Sequence, residues 1–351
     1  MNAWMRLLVN VVVLTSFLAT SGLATEYRMP PYGDDLVGEN SVYTVQEGDS
    51  LTTIRKEFGV SYEELIDANP HINFYKLKVG QDVIISKQFI LPRFRRGIVI
   101  NIPELRLYYF TPDGNYVYTF PVGLGRPGWR TPLFSTKVRK KAPDPVWYVP
   151  DSIRNYVLNK TGELLPDSIP PGPNNPLGRF AIYLQKPGYL IHGTNRPSSV
   201  GTFISSGCMR LLREPIEQLY YAVQPGTPVY VIHHPIKAGW RGKTLYLETH
   251  EPIKSYLHRK NSPLNNIDVA SAIHHAIHLR PARIDWDAVR KNISQHLGIP
   301  EPIGQRYKII NFLTAPVDRT AALPKGISSR FSSLVIPHCL VTRQAAWNKF
   351  N

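Results

Sequence analysis

Two cysteines in 351 residues, Cys208 and Cys339, are too few for a disulfide-stapled scaffold. A chain of this length needs no staples, because it can hold two or three domains with their own cores. A hydrophobic content of 43% with 11% aromatics excludes a disordered chain. There is no internal repeat and no low-complexity tract. The N-terminal apolar run, Leu7 to Ala19, falls short of the roughly 20 residues that span a bilayer. With Arg6 before it and Gly22-Leu23-Ala24 after it, the run reads as a signal peptide over residues 1–24, cleaved near Ala24, with an uncleaved signal anchor as the alternative. Export to the periplasm is therefore expected. No cysteine follows the run, which argues against a lipoprotein anchor. Acidic residues are outnumbered 41 to 26, and residues 237–351 hold 17 Lys+Arg against 7 Asp+Glu, or +10 of the +15 total. An exported protein rarely meets nucleic acid, so anionic envelope polymers and carboxylate-bearing peptides are the expected partners.

Two motifs lack the part that would make them work. Gly123, Gly125 and Gly128 in "VGLGRPG" form G-x-G-x-x-G after a strand, but "WRTPLF" follows where a dinucleotide site needs a helix N-terminus. His274 and His278 in "HHAIH" have the i, i+4 spacing of zinc ligands, but His275 stands where a metalloprotease needs glutamate. Neither a metal nor a cofactor is expected.

What is present falls into three regions. From Tyr43, a short strand leads to Gly48-Asp49, and Leu51, Ile54 and Phe58 recur at helical spacing. Ser61 and Glu64 form a capping box for a second helix that closes at Asn69-Pro70, and Val83 to Ile85 make a final strand. The second region is mostly strand. "IVINIPELRLYYF" and "YVYTFPVG" flank the turn Pro112-Asp113-Gly114, and "FAIYL" and "YLIH" flank Lys186-Pro187-Gly188. Eight prolines from Pro143 to Pro176 read as a long ordered loop over the sheet. A helix is expected from about Pro215, stopped by Gln224-Pro225-Gly226, and "VYVI" supplies another strand. In the third region "IDVASAIHHAIHLR" and "DWDAVRKNISQHLG" read as helices. Its role is not legible.

Chemistry concentrates at His192 and Cys208. A thiolate attacks carbonyls, and a free thiol near pKa 8.5 supplies little of it at neutral pH, so a nearby imidazole is wanted as base. Gly207 removes a Cβ from the path of a substrate carbonyl and lets backbone N–H groups near Cys208 face an oxyanion. Arg210 suits bidentate capture of a carboxylate. The alternatives are a buried apolar cysteine and a surface salt bridge.

The first region, residues 43–87, resembles the LysM module in its Y-x-V-x-x-G-D-[ST]-L opening and its L-x-x-G-Q-x-[IV]-x-[IV] close. That resemblance implies a βααβ fold that binds N-acetylglucosamine-containing glycans such as peptidoglycan. "HGTN", "SSGCMRL" and the upstream "NNPLG" make residues 96–236 similar to the L,D-transpeptidase (YkuD-like) catalytic domain. The whole is then multidomain: the LysM module, a mainly-β catalytic domain and an α-containing, basic C-terminal region, 237–351. The resemblance implies Cys208 as nucleophile and His192 as base, oriented by a backbone carbonyl of Gly193 or Thr194. Gly207 and Ser206 fall beside the nucleophile, and Arg210 and Asn195 on the substrate side. The reaction implied is acyl transfer from a tetrapeptide stem, with D-alanine leaving. The acceptor stays open: another stem in a 3→3 crosslink, a lysine of an outer-membrane lipoprotein, or water, which would make a carboxypeptidase. A non-catalytic wall-binding protein is the alternative from another class. Carbapenems are implied as inhibitors. Phe134 and Thr136 depart from the family's usual glycine and aromatic.

Overall fold

The computed structural model describes residues 25–256, 262–265 and 267–307. The signal-peptide reading (1–24) and Cys339 lie outside the described residues.

In the first region Ser41–Thr44 pairs antiparallel with Asp82–Ile85, and helices α1 (Leu51–Phe58) and α2 (Tyr62–Asp67) lie between them in sequence. Both helices start where a side chain supplies the missing hydrogen-bond partner. Ser50 Oγ accepts from Thr53 N, and Ser61 Oγ accepts from Glu64 N at 3.0 Å while Glu64 returns a carboxylate to Ser61 N at 2.7 Å. Gly59 ends α1 at φ 64°, a left-handed conformation that glycine adopts without strain. Ile54, Val60, Leu65, Val83 and Ile85 form the small core.

This module is welded to the next domain. Glu64 pairs with Arg106 in full burial, Ser61 packs so closely on Gly201 that a Cβ there would lie 2.5 Å away, and Arg55 donates to the Pro197 carbonyl at 3.5 Å. A buried ion pair of this kind loses about 3–5 kcal/mol if only one partner is removed.

The catalytic region is built on a nine-stranded sheet. Its order is Thr25–Arg28, Tyr116–Pro121, Arg106–Phe110, Gly97–Asn101, Pro228–Ile232, Phe134–Pro143, Phe180–Leu184, Leu190–His192 and Met209–Arg210. The edge strand Thr25–Arg28 was not visible in the sequence, which showed only a short polar stretch there; it pairs with Tyr116–Thr119. Ile98, Ile100, Leu107, Phe120, Ile182 and Val231 lie under the sheet with α4 (Arg213–Ala222) packed on it through Ile216 and Leu219.

Residues 143–176 are not loop throughout. Helix α3 (Asp151–Thr161) occupies their middle, and Trp147–Tyr148 pairs with Ser168–Ile169. The eight prolines flank the helix instead of entering it, and Pro150 stands at its N-cap, where a proline costs nothing.

Beyond Ile232 the chain forms a four-stranded sheet, Ile236–Arg241, Thr244–Thr249, Glu301–Arg306 and Ala282–Ile284. The two expected helices, α5 (Val269–Ile277) and α6 (Trp286–Gln295), cover it over Trp240, Leu245, Leu247 and Ile303. The sheet itself was missed.

Candidate active site

His192 ends a strand that forms a hairpin with Phe180–Leu184 and runs parallel to Met209–Arg210, with Ile191 opposite Met209 and His192 opposite Arg210. Side chains alternate along a strand, so Ile191 and Met209 enter the core, both at 0% exposure, while His192 and Arg210 share the other face. Cys208 lies in the bend just before the Met209–Arg210 strand, and the Arg210 charge acts on both His192 and Cys208.

The imidazole is fixed. Nδ1 lies 2.7 Å from the Gly193 carbonyl, and because a carbonyl only accepts, Nδ1 carries the proton. The backbone of Leu177 and Pro176 also bonds to the ring. Of the two carbonyls named as possible orienting groups, Gly193 takes the role; Thr194 instead turns its hydroxyl to Arg196.

The cysteine turn is held from three sides. Gly207 sits at φ 107°, which a side chain would strain. Its N–H donates to Ser205 Oγ at 3.1 Å, and its carbonyl accepts from Thr131 Oγ1 at 2.9 Å. Ser205 Oγ in turn donates to the Cys208 carbonyl at 2.6 Å. The Gly207 N–H is therefore occupied. The neighbouring Arg210 backbone exchanges bonds of 2.8 and 2.9 Å with Gly123, where any Cβ would strike the Ser199 carbonyl at 2.3 Å. The first two glycines of "VGLGRPG" thus serve close packing around this turn.

The half-buried thiol of Cys208 donates to the Gly188 carbonyl at 3.7 Å. Burial raises its pKa above the ordinary thiol value, against smaller pulls from a Leu190 backbone bond and the Arg210 charge. Burial, helped by Arg210, lowers His192 to about 3. Thiol and imidazole therefore rest as a neutral pair near pH 7, not as thiolate and imidazolium. A consequence follows for pH dependence. Acylation of Cys208 by a donor of constant ionisation should be flat from about pH 5 to 8, with no limb in the ordinary imidazole range. Stopped-flow acylation across that range tests this; a limb near pH 6.5 would show a resting ion pair instead.

Arg210 is half-buried, and its Nε has no hydrogen-bond partner among the described residues. Ser206 accepts from Arg126 at 3.1 Å. Asn195 donates to the Asn174 carbonyl at 3.2 Å and lines a cavity of about 380 Å³ beyond His192, with Asp144, Arg179 and Arg213. Phe134, the unusual residue, is buried with its ring 5.4 Å from Tyr189, whose ring borders Gly207. Thr136 accepts from Lys186 N. Sequence reasoning missed Thr131, Ser205, Arg126 and Tyr189. Of these, only Thr131 carried a local signal, the T-P that opens "TPLFSTKV". The histidines of α5 carry nothing comparable: His274 and His278 are exposed, with rings 5.9 Å apart.

A histidine and an arginine paired across two strands, with a cysteine in the adjoining bend, are the residue types of a cysteine acyltransferase, and the comparisons with known proteins give the family. Residues 95–231 match the family described as L,D-transpeptidase catalytic domain, and residues 43–86 match the LysM domain. "Probable L,D-transpeptidase ErfK/SrfK" of Escherichia coli K12 is 39% identical over 243 residues, 68% of this chain and 77% of that protein. From the same strain, YcfS is 40% identical over 67% of this chain and 76% of its own length, and YbiS 36% over 69% and 80%. The chain belongs to the L,D-transpeptidase family.

Proposed function

We propose that the chain is a peptidoglycan L,D-transpeptidase in which Cys208 is the nucleophile and His192 its base. The observation that supports this is the parallel register of His192 with Arg210, whose charge acts on both His192 and Cys208, with Nδ1 of the imidazole tied to Gly193. Nε2 takes the thiol proton as Sγ attacks the carbonyl of the third residue of a tetrapeptide stem. With the Gly207 N–H engaged, the N–H of Cys208 itself is the donor left for the oxyanion, a contribution of about 10²–10³ in rate. The imidazolium then protonates the amine of D-alanine as the C–N bond breaks, leaving a thioester. An amine acceptor attacks the thioester, gives its proton to His192, and the thiol re-forms. Arg210 holds a stem carboxylate.

The LysM module supplies glycan affinity, and its rigid docking through Glu64–Arg106 keeps bound glycan at a set distance from Cys208. The apolar run Leu7 to Ala19 supports export to the periplasm. Among the described residues no helix is long and apolar enough to cross a membrane. A stem amine and a lipoprotein lysine are the two acceptor classes, and carbapenems should acylate Cys208.

Incubation with disaccharide-tetrapeptide, followed by mass spectrometry, tests the reading. Loss of D-alanine with dimer formation is expected. Tripeptide alone would make the enzyme an L,D-carboxypeptidase, and no product at all would leave only a wall-binding protein.

A further inference from the structure

Several arginines of this chain face a carboxylate: Arg106 faces Glu64, Arg95 faces Asp35, Arg154 faces Asp167 and Arg280 faces Asp34. Those around Cys208 do not. Arg126 and Arg196 both lie close enough to Arg210 to act on it electrostatically, and among the described residues none of the three forms an ion pair with a carboxylate. Clustered like charges destabilise a fold. Such a cluster is useful when an anion relieves it.

Arg126 is the most constrained of the three after Arg210. It is half-buried, and one Nη donates to Ser206 Oγ at 3.1 Å, two residues from the nucleophile. Its guanidinium lies 5.3 Å from the Trp129 ring and 4.7 Å from the Tyr156 ring, and the two rings stand 5.8 Å apart, edge to face. The ring faces attract the guanidinium and orient it, while the single bond to Ser206 leaves most of its five N–H donors open. A guanidinium prepared in this way forms a stronger charge-assisted bond than a solvated one.

We propose that Arg126 is a second carboxylate-recognition residue of the acyl-donor site, reading a stem carboxylate other than the one held by Arg210. This rests on the functional reading above. The ligand class follows from charge: the amine acceptor is repelled by three arginines, and a neutral glycan gains nothing from them. A tetrapeptide stem offers more than one carboxylate, on the leaving D-alanine and on the distal end of diaminopimelate. Tyr156 is a positioning residue. It lies on α3, a helix with no buried residue of its own, so the clamp on Arg126 ties that helix to the site.

The test compares three donors: the free tetrapeptide stem, the stem with its terminal carboxyl as amide, and the stem with its diaminopimelate carboxyl as amide. The readout is kcat/KM for thioester formation by mass spectrometry. Arg126→Gln should lose about 10- to 100-fold on the free stem, the worth of a hydrogen bond to a charged group. That loss should vanish on one of the two amides, which identifies the carboxylate read. Arg126→Lys should keep most of the discrimination. Tyr156→Phe should behave like wild type, and Tyr156→Leu should weaken the discrimination. Equal loss on all three donors, or no loss on the free stem, would overturn the assignment of Arg126 alone. A wild-type enzyme that forms no thioester with any donor would overturn the functional reading beneath it.

Discussion

Cys208→Ala is expected to abolish thioester formation and every crosslinked or lipoprotein-linked product, while binding to purified sacculi persists. The two activities separate because glycan affinity resides in Tyr43–Ser86, whose core shares no residue with the turn around Cys208. His192→Ala should slow acylation by about 10²–10⁴, the contribution of a positioned general base. The resting charge state makes the larger end of that range the expectation. Because burial raises the Cys208 thiol and depresses His192 to about 3, no stored thiolate remains to carry the reaction once the base is gone. Alkaline pH should partly rescue His192→Ala, since hydroxide can then supply the thiolate. Carbapenem acylation followed by peptide mapping gives the check: one drug mass on the Cys208 peptide of wild type, none in Cys208→Ala. An adduct elsewhere, or equal rates with and without His192, would remove both residues from the mechanism.

How far the sequence carried depends on how local each signal was. The capping box of α2, the Lys186-Pro187-Gly188 hairpin and the strand that ends at His192 all act within a few residues, and all were legible. The C-terminal sheet was not, because its strands break the alternation that marks strands. Ile236–Arg241 points Lys237 into the interior, and its Gly239 is small because a Cβ would meet Asp35 at 2.6 Å. Glu301–Arg306 contains Pro302, and a Cβ on Gly304 would meet the Arg283 carbonyl at 2.5 Å. Helix α3 hid for a different reason. It buries no residue, so it shows no apolar stripe, and the prolines on either side dominate the composition. At the active site, the supports of the cysteine turn come from distant chain. Thr131 reaches Gly207 across 76 residues and Arg126 reaches Ser206 across 80, separations at which periodicity carries no information.

Lys237→Met should be among the most destabilising single changes in the described chain. Lys237 Nζ lies in full burial 2.8 Å from Glu104, 2.7 Å from Glu248 and 2.6 Å from the Ile90 carbonyl. His250 Nε2 lies 2.9 Å from Glu248, which outweighs burial and raises the imidazole above its usual pKa. Burial alone would push Glu248 up, but Lys237 and His250 outweigh it and hold the carboxylate below its usual range. Glu104, Glu248 and His250 have the proximity of metal ligands, yet the ammonium of Lys237 already stands between the two carboxylates as their cation. The cluster joins the C-terminal sheet to the catalytic one, since Glu104 also accepts from Asn101 and Tyr108 of that sheet. Removing the ammonium leaves two buried carboxylates with only the His250 imidazole against one of them, and should cost about 3–5 kcal/mol. The carboxylates, not the lost methylene contacts, should carry that cost. The triple variant Lys237→Met, Glu104→Gln, Glu248→Gln removes the charge and keeps one acceptor oxygen at each position, for Asn101 or Tyr108 at one and for His250 or the Ile90 N–H at the other, so it should recover part of the stability. Urea denaturation of the three proteins at neutral pH decides the matter. A Lys237→Met protein within about 1 kcal/mol of wild type would mean that the cluster already contains water or relaxes to reach it. A triple variant no better than the single one would mean that Lys237 acts through packing and its bond to Ile90, not through the carboxylates it separates.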